Sequence, residues 1–269
     1  MKKWHKSLLI GLGALVISTV AIQASDVMQG ISGSLTGLVI DSKSVCGSGA
    51  AQINLGDHAL CVDIFEASAE KTCPHTNPSN SIFTQENAND SSCTPVSKKG
   101  VMPWRFVSLT QAQQFCGRVG KRLPTNQEWY KIASGFTAIN TCAIDTKKSE
   151  PSLTGTEGCV TPSGIYDIVG NVWEWIDAQV QNGTYDNRTL PPSGYVSLVD
   201  TNGIVINTAP EAVAEFGDDY ALTDSSGIRG IIRGGFYGSG NDAGVFAQNL
   251  SVPLDFKTTG VGFRCVKDI

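Results

Sequence analysis

Eight cysteines, no two of them close enough for a C-x-x-C pair, constrain this chain more than any other feature. They stand at Cys46, Cys61, Cys73, Cys93, Cys116, Cys142, Cys159 and Cys265. Without close pairs, a zinc cluster or a dithiol redox motif is a poor reading. An even number of thiols suits disulfides if the chain folds in an oxidising compartment, and the N-terminus supplies that condition. Lys2, Lys3 and Lys6 form a positive region, Leu8 to Ile22 is apolar, and Ala24 and Ser25 are small. That is the pattern of a signal peptide over residues 1–24. The alternative is an uncleaved signal anchor, because the apolar stretch is only marginally short for a span. The chain would then meet a membrane through its leader. We expect an exported protein: secreted, periplasmic or at the cell surface.

Neighbours in sequence suggest three local bridges, Cys46–Cys61, Cys73–Cys93 and Cys142–Cys159. That leaves Cys116 with Cys265, although eight cysteines permit about 105 pairings. In the chain-entropy description the long clasp contributes about 5 kcal/mol and each short loop about 3 kcal/mol. The formal charge of −5 becomes −8 without the three leader lysines, which argues against a nucleic-acid partner. Three histidines, His5, His58 and His75, leave little material for a zinc enzyme or a Ser-His-Asp hydrolase. A hydrophobic content of 41% is enough for a core.

Residues 25–58 begin rich in Ser and Gly and read as a tether or edge segment, with the domain over 59–269. Leu60 to Phe65 is a strand candidate. Residues 71–100 are polar and read as a loop pinned by Cys73 and Cys93. Two short helices follow. Ser108 and Gln111 form a capping box ahead of Ala112, Phe115, Cys116 and Val119. Thr125 and Glu128 form a second, ahead of Trp129, Ile132 and Ala133. Beyond Gly135 short apolar runs alternate with Gly, Pro, Asn and Ser, which predicts strands and long loops, with a possible turn near 210–216. The fold class is α+β: two short helices, small antiparallel sheets and much irregular structure.

Four motifs occur in order. They are Cys61-Val-Asp-Ile-Phe-Glu66-Ala-Ser, Gly120-Lys-Arg-Leu-Pro-Thr-Asn-Gln-Glu-Trp129, Gly164-Ile-Tyr-Asp-Ile-Val-Gly-Asn-Val-Trp-Glu-Trp175, and Arg233-Gly-Gly235 with Gly262-Phe-Arg-Cys265. Together, over about residues 60–267, they resemble the formylglycine-generating, sulfatase-modifying enzyme family. The resemblance implies a C-type-lectin-like fold, and the family's long-range disulfide supports Cys116–Cys265. Trp173 and Trp175 have the period-2 spacing of a strand face and read as a core pair. Asp167 and Glu174 flank a glycine turn as oxygen ligands suited to calcium. The resemblance implies a structural calcium held by Asp167, the carbonyls near Gly170 and Val172, and Glu174. Arg122, Arg233 and Arg264 read as loop braces.

The enzymes of that family use a cysteine pair placed after the R-G-G motif, which also binds copper. Here no cysteine lies between Cys159 and Cys265. Copper is not expected, and neither is catalysis of the family type. The stretch 233–265 instead resembles the variable region of proteins diversified by retroelements, in which asparagine-type codons scatter at adenines. The positions that match are Phe236, Tyr237, Gly238, Ser239, Asp242, Ser251, Val252, Phe256 and Gly260, with Asn249 as an unmutated one. Each residue type is reachable by changing the first two bases of an asparagine codon. Phe236, Tyr237 and Phe256 would anchor a protein or glycan ligand, as rigid aromatics do in a paratope. The expected function is therefore ligand binding on a diversified surface, without catalysis. The alternatives are a true formylglycine-generating enzyme and a fixed sugar-binding or structural envelope module.

Overall fold

The structure is a computed structural model that describes residues 45–145 and 147–269. The expected leader and most of the expected tether lie outside the described residues. The domain begins before residue 59, because Ala50–Asn54 (β1) pairs antiparallel with Ala59–Asp63 (β2) and buries Ile53. Ala67–Ala69 (β3) comes next, then helix Ser81–Asn89 (α1), Pro95–Ser97 (β4) and helices Leu109–Arg118 (α2) and Asn126–Ala133 (α3). A long loop leads to Trp173–Gln181 (β5) and the short Thr184–Tyr185 (β6) and Arg188–Thr189 (β7). Gly194–Val199 (β8), Val205–Ala209 (β9) and Tyr220–Thr223 (β10) precede Ile228–Arg233 (β11) and Gln248–Val252 (β12). Val261–Phe263 (β13) and Val266–Asp268 (β14) are the last strands.

β2 lies between β1 and β14, so the first and last strands share one small sheet. The larger sheet runs β7-β6-β5-β11-β12-β10-β8-β9, with β13 parallel to β5, and β3 pairs with β4. This is the α+β, C-type-lectin-like arrangement that the motifs imply. All four disulfides form as the spacing suggested: Cys46–Cys61, Cys73–Cys93, Cys116–Cys265 and Cys142–Cys159.

Both capping boxes are present, Ser108 with Gln111 at α2 and Thr125 with Glu128 at α3. Arg122 grips Glu128 with two bonds of 2.7 Å and reaches Asp268 of β14, which locks the start of α3 to the end of the chain. The stretch 71–100 corrects the loop expected there, because α1 makes a third helix. Its sequence carries no apolar stripe, so helical periodicity is silent. Tertiary partners hold it instead. Asn80 caps its N-terminus, Thr84 donates to the Arg105 carbonyl, and Arg118 donates to the carbonyls of Asn87, Ala88, Asp90 and Cys93.

One core gathers Leu60, Val62, Trp129, Ile132, Ile165, Ile176, Ile231 and Leu250. A second packs Trp104, Phe115, Leu123, Trp175, Phe263 and the Cys116–Cys265 bridge, with the Trp104 and Phe115 ring centres 4.0 Å apart. The turn that launches β5 demands a glycine. Gly170 has φ +76°, and a Cβ there would lie 2.6 Å from the Ala143 carbonyl oxygen. Asn171 follows at φ +56° and is held by its own side chain, which donates to Glu66 at 2.6 Å.

Candidate functional site

Two features lie on either side of this turn: a buried charge cluster and an open cavity. In the cluster, the carboxylates of Glu66, Asp167 and Glu174 are essentially sealed from solvent with one cation, Arg264. Every carboxylate oxygen already meets a protein donor. Glu66 accepts from Val172 N (3.1 Å) and Asn171 Nδ2 (2.6 Å). Asp167 accepts from Gly155 N and Thr156 N. Glu174 accepts from Arg264 Nε (2.7 Å) and Trp129 Nε1 (2.8 Å).

Calcium takes six to eight oxygens at about 2.3–2.6 Å. Among the described residues no three acidic, His or Cys side chains converge on such a point. The calcium set expected at Asp167, Gly170, Val172 and Glu174 offers two carboxylates, and each of their oxygens already accepts a hydrogen bond. Its carboxylates are turned to hydrogen-bond donors, and a guanidinium stands against Glu174. Burial pushes Glu66 well above the ordinary carboxylate range, with Asp167 and Glu174 adding repulsion. Burial likewise raises Glu174, with Arg264 opposing. The cluster acts as internal scaffolding that joins β2, the β5 turn and the end of β13.

The cavity, of about 350 Å³, opens where the 236–242 turn faces β10 and β12. The turn is held from below. Arg233 is fully buried and donates to Asn126 Oδ1, the Gly203 carbonyl and the Val245 carbonyl, with its guanidinium 4.9 Å from the Trp129 ring centre. The three arginines are thus braces, as expected. At Gly234 (φ +91°) a Cβ would strike the Ile168 carbonyl oxygen, so the chain passes hard against the β5 turn. The Phe236 amide then donates to Ser239 Oγ at 3.0 Å, and the Ser239 amide returns a bond to the Phe236 carbonyl.

Five of the positions expected to vary line this cavity: Phe236, Gly238, Ser239, Asp242 and Asn249. Ser251 shares the outward face of β12 with Asn249 and donates to its Oδ1 at 2.7 Å. Phe256 is half-buried against the second core. The other three are not on the surface. Tyr237 turns inward, 6% exposed, and its hydroxyl donates to the Ser149 carbonyl. Val252 alternates into the second core. Gly260 lies beneath Phe236, where a Cβ would come 2.6 Å from the ring. The anchor role expected of Tyr237 is thereby corrected: a buried hydroxyl takes the nearest free carbonyl.

Three lining residues were not anticipated: Trp173, Tyr220 and Leu222. Trp173 does share its strand face with the fully buried Trp175, but it sits at the first residue of β5 and keeps one side open. Tyr220 and Leu222 face outward on β10 while Ala221 points in, a period-2 signal legible in Tyr220-Ala-Leu-Thr. No thiol stands nearby, since all eight cysteines are bridged.

The family of the "sulfatase-modifying factor enzyme 1-like domain" matches residues 52–269. "Inactive C-alpha-formylglycine-generating enzyme 2" of Bos taurus is 31% identical over 128 residues, 39% of this chain and 42% of that protein. "Serine/threonine-protein kinase pkn1" of Chlamydia pneumoniae is 26% identical over 160 residues, 56% of this chain and 22% of that protein. The chain thus spans less than half the length of these relatives. Among solved structures, "Treponema denticola variable protein 1" superposes with TM-score 0.43 and 14% identity, covering 82% of this chain and 99% of that one. "Major Tropism Determinant P3c Variant" gives TM-score 0.41 and 14% identity, covering 82% and 55%.

Proposed function

The chain belongs to the sulfatase-modifying factor enzyme 1-like domain family, and from that premise we propose that it is a non-catalytic, exported protein that binds a ligand on a diversified surface. One observation carries the reading. Positions singled out by their codon reach, spread from 236 to 249, converge on one cavity. Gln248, a neighbour in the same stretch that does not fit the codon rule, is fully buried. A surface built to vary needs that division, because side chains facing solvent change at little cost while core changes destabilise. The missing thiol pair and the four disulfides, which suit an oxidising compartment, support the non-catalytic and exported parts.

The test is genomic. The reading expects a near-repeat of the codons for residues 236–264 beside the gene, differing at adenines, with a reverse transcriptase nearby. If neither is there, the diversified-surface reading fails and a fixed binding module takes its place. Oxidation of a cysteine peptide by the purified protein would instead establish the enzymatic alternative.

A further inference from the structure

The cavity combines an aromatic wall with one unpaired carboxylate. Trp173, Tyr220 and Phe236 line it, and Asp242 stands at its rim. Among the described residues Asp242 takes part in no salt bridge and its carboxylate accepts no hydrogen bond, and partial burial raises its pKa. No Lys or Arg lines the cavity. The chain as a whole carries −5.

Resting on the ligand-binding reading above, we infer that this cavity receives the cationic side chain of a lysine or arginine on a basic protein partner. Aromatic faces attract a desolvated cation through their quadrupoles, and a nearby carboxylate adds direct attraction. The two walls have different origins. Trp173, Tyr220 and Leu222 lie outside the 233–265 stretch, so they form a constant floor of two aromatic rings and a leucine, whereas Phe236, Asp242 and Asn249 lie within it. A cation-attracting floor would then be common to every variant of the surface, and the residue at 242 would set how strongly the rim favours charge.

The test is an amide NMR titration of the purified, disulfide-intact protein at constant ionic strength. The probes are n-butylammonium and n-propylguanidinium, the lysine and arginine side chains without their backbone. The neutral control of similar length is 1-pentanol. The inference expects saturable shifts at Gly238, Asp242 and Asn249 with both cations, at least about fivefold weaker with pentanol, from the combined cation–π and carboxylate attraction. Asp242→Asn, an exposed change that leaves the core intact, should weaken the cations by a similar factor and leave pentanol unchanged. Tyr220→Leu should weaken the cations as well. Equal binding of pentanol, insensitivity to Asp242→Asn, or no saturation by about 100 mM overturns the inference. Such a result leaves the diversified-surface reading standing, because that reading is judged by the genomic repeat.

Discussion

Removing the guanidinium from the buried cluster, by Arg264→Met, perturbs the fold where it has least tolerance. Arg264 and Glu174 are 0% and 1% exposed. The arginine donates to the Glu174 carboxylate and to the carbonyls of Asp63 and Tyr166. The variant would leave the Glu174 carboxylate and two carbonyls facing an apolar side chain, and Glu66 and Asp167 without the nearby positive charge. Breaking a buried pair by deleting one partner costs about 3–5 kcal/mol, a large share of a typical domain's stability of about 5–15 kcal/mol. Glu174→Gln should be costly too, since it takes from Arg264 the one carboxylate it is bonded to, whereas the double variant removes both partners. In urea denaturation followed by tryptophan fluorescence, the double variant should lose at least about 2 kcal/mol less than the two single losses combined. The sign of the pH dependence follows. Without Arg264 the Glu174 carboxyl holds its proton to higher pH in the folded chain than in the unfolded one, so the single variant loses stability as pH rises above about 4.3. Its deficit should be smaller at pH 4.5 than at pH 7.5. Additivity within about 0.5 kcal/mol would refute the coupling.

Three further outcomes can be measured. Replacing Cys116 and Cys265 together by Ser should cost about 2–5 kcal/mol in the same assay, and a cost no larger than for Cys46 and Cys61 would contradict the long-clasp reasoning. Asp219 is held up to about 8 by burial, against the opposing pull of the Phe246 and Ala247 amides and the Arg233 charge. Its folded value exceeds its unfolded one, so the chain should lose stability as pH rises from about 4 to 8, and Asp219→Asn should flatten that slope in melting curves. Adding millimolar calcium, or removing it with chelator, should shift Tm by less than about 1 °C. A stabilisation growing with calcium concentration would overturn the donor-filled account of Glu174 and Asp167.

What the sequence discloses depends on whether the signal is local. The capping boxes at Ser108 and Thr125 are local, and both helices form as they imply. Three disulfides are legible because nearest neighbours pair, and the fourth, Cys116–Cys265, is what they leave over. By contrast, α1 owes its existence to Arg118, Thr84 and the Cys73–Cys93 bridge, none of which leaves a period in Ser81–Asn89. The inward turn of Tyr237 depends on the Ser149 carbonyl, distant in sequence. Codon reach selects candidate positions but does not say which way they face, so Val252 and Gly260 meet the first criterion and fail the second. Trp173 packs against the second core yet is only partly buried for a related reason: spacing reports a shared strand face, not where the strand ends.

The pairing of β14 with β2 also bears on how the chain acquires its fold. The small sheet and the Cys116–Cys265 clasp, with a sequence separation of 149, both require residues that follow the 236–264 stretch. Contacts so distant in sequence form late and slowly. A ribosome must therefore read through the whole stretch in the correct frame before either can close. A frameshift or stop codon inside 236–264 would leave β2 with β1 as its one partner and Cys116 as an unpaired thiol. If the stretch is diversified as proposed, completion of folding would double as a check that its reading frame is intact.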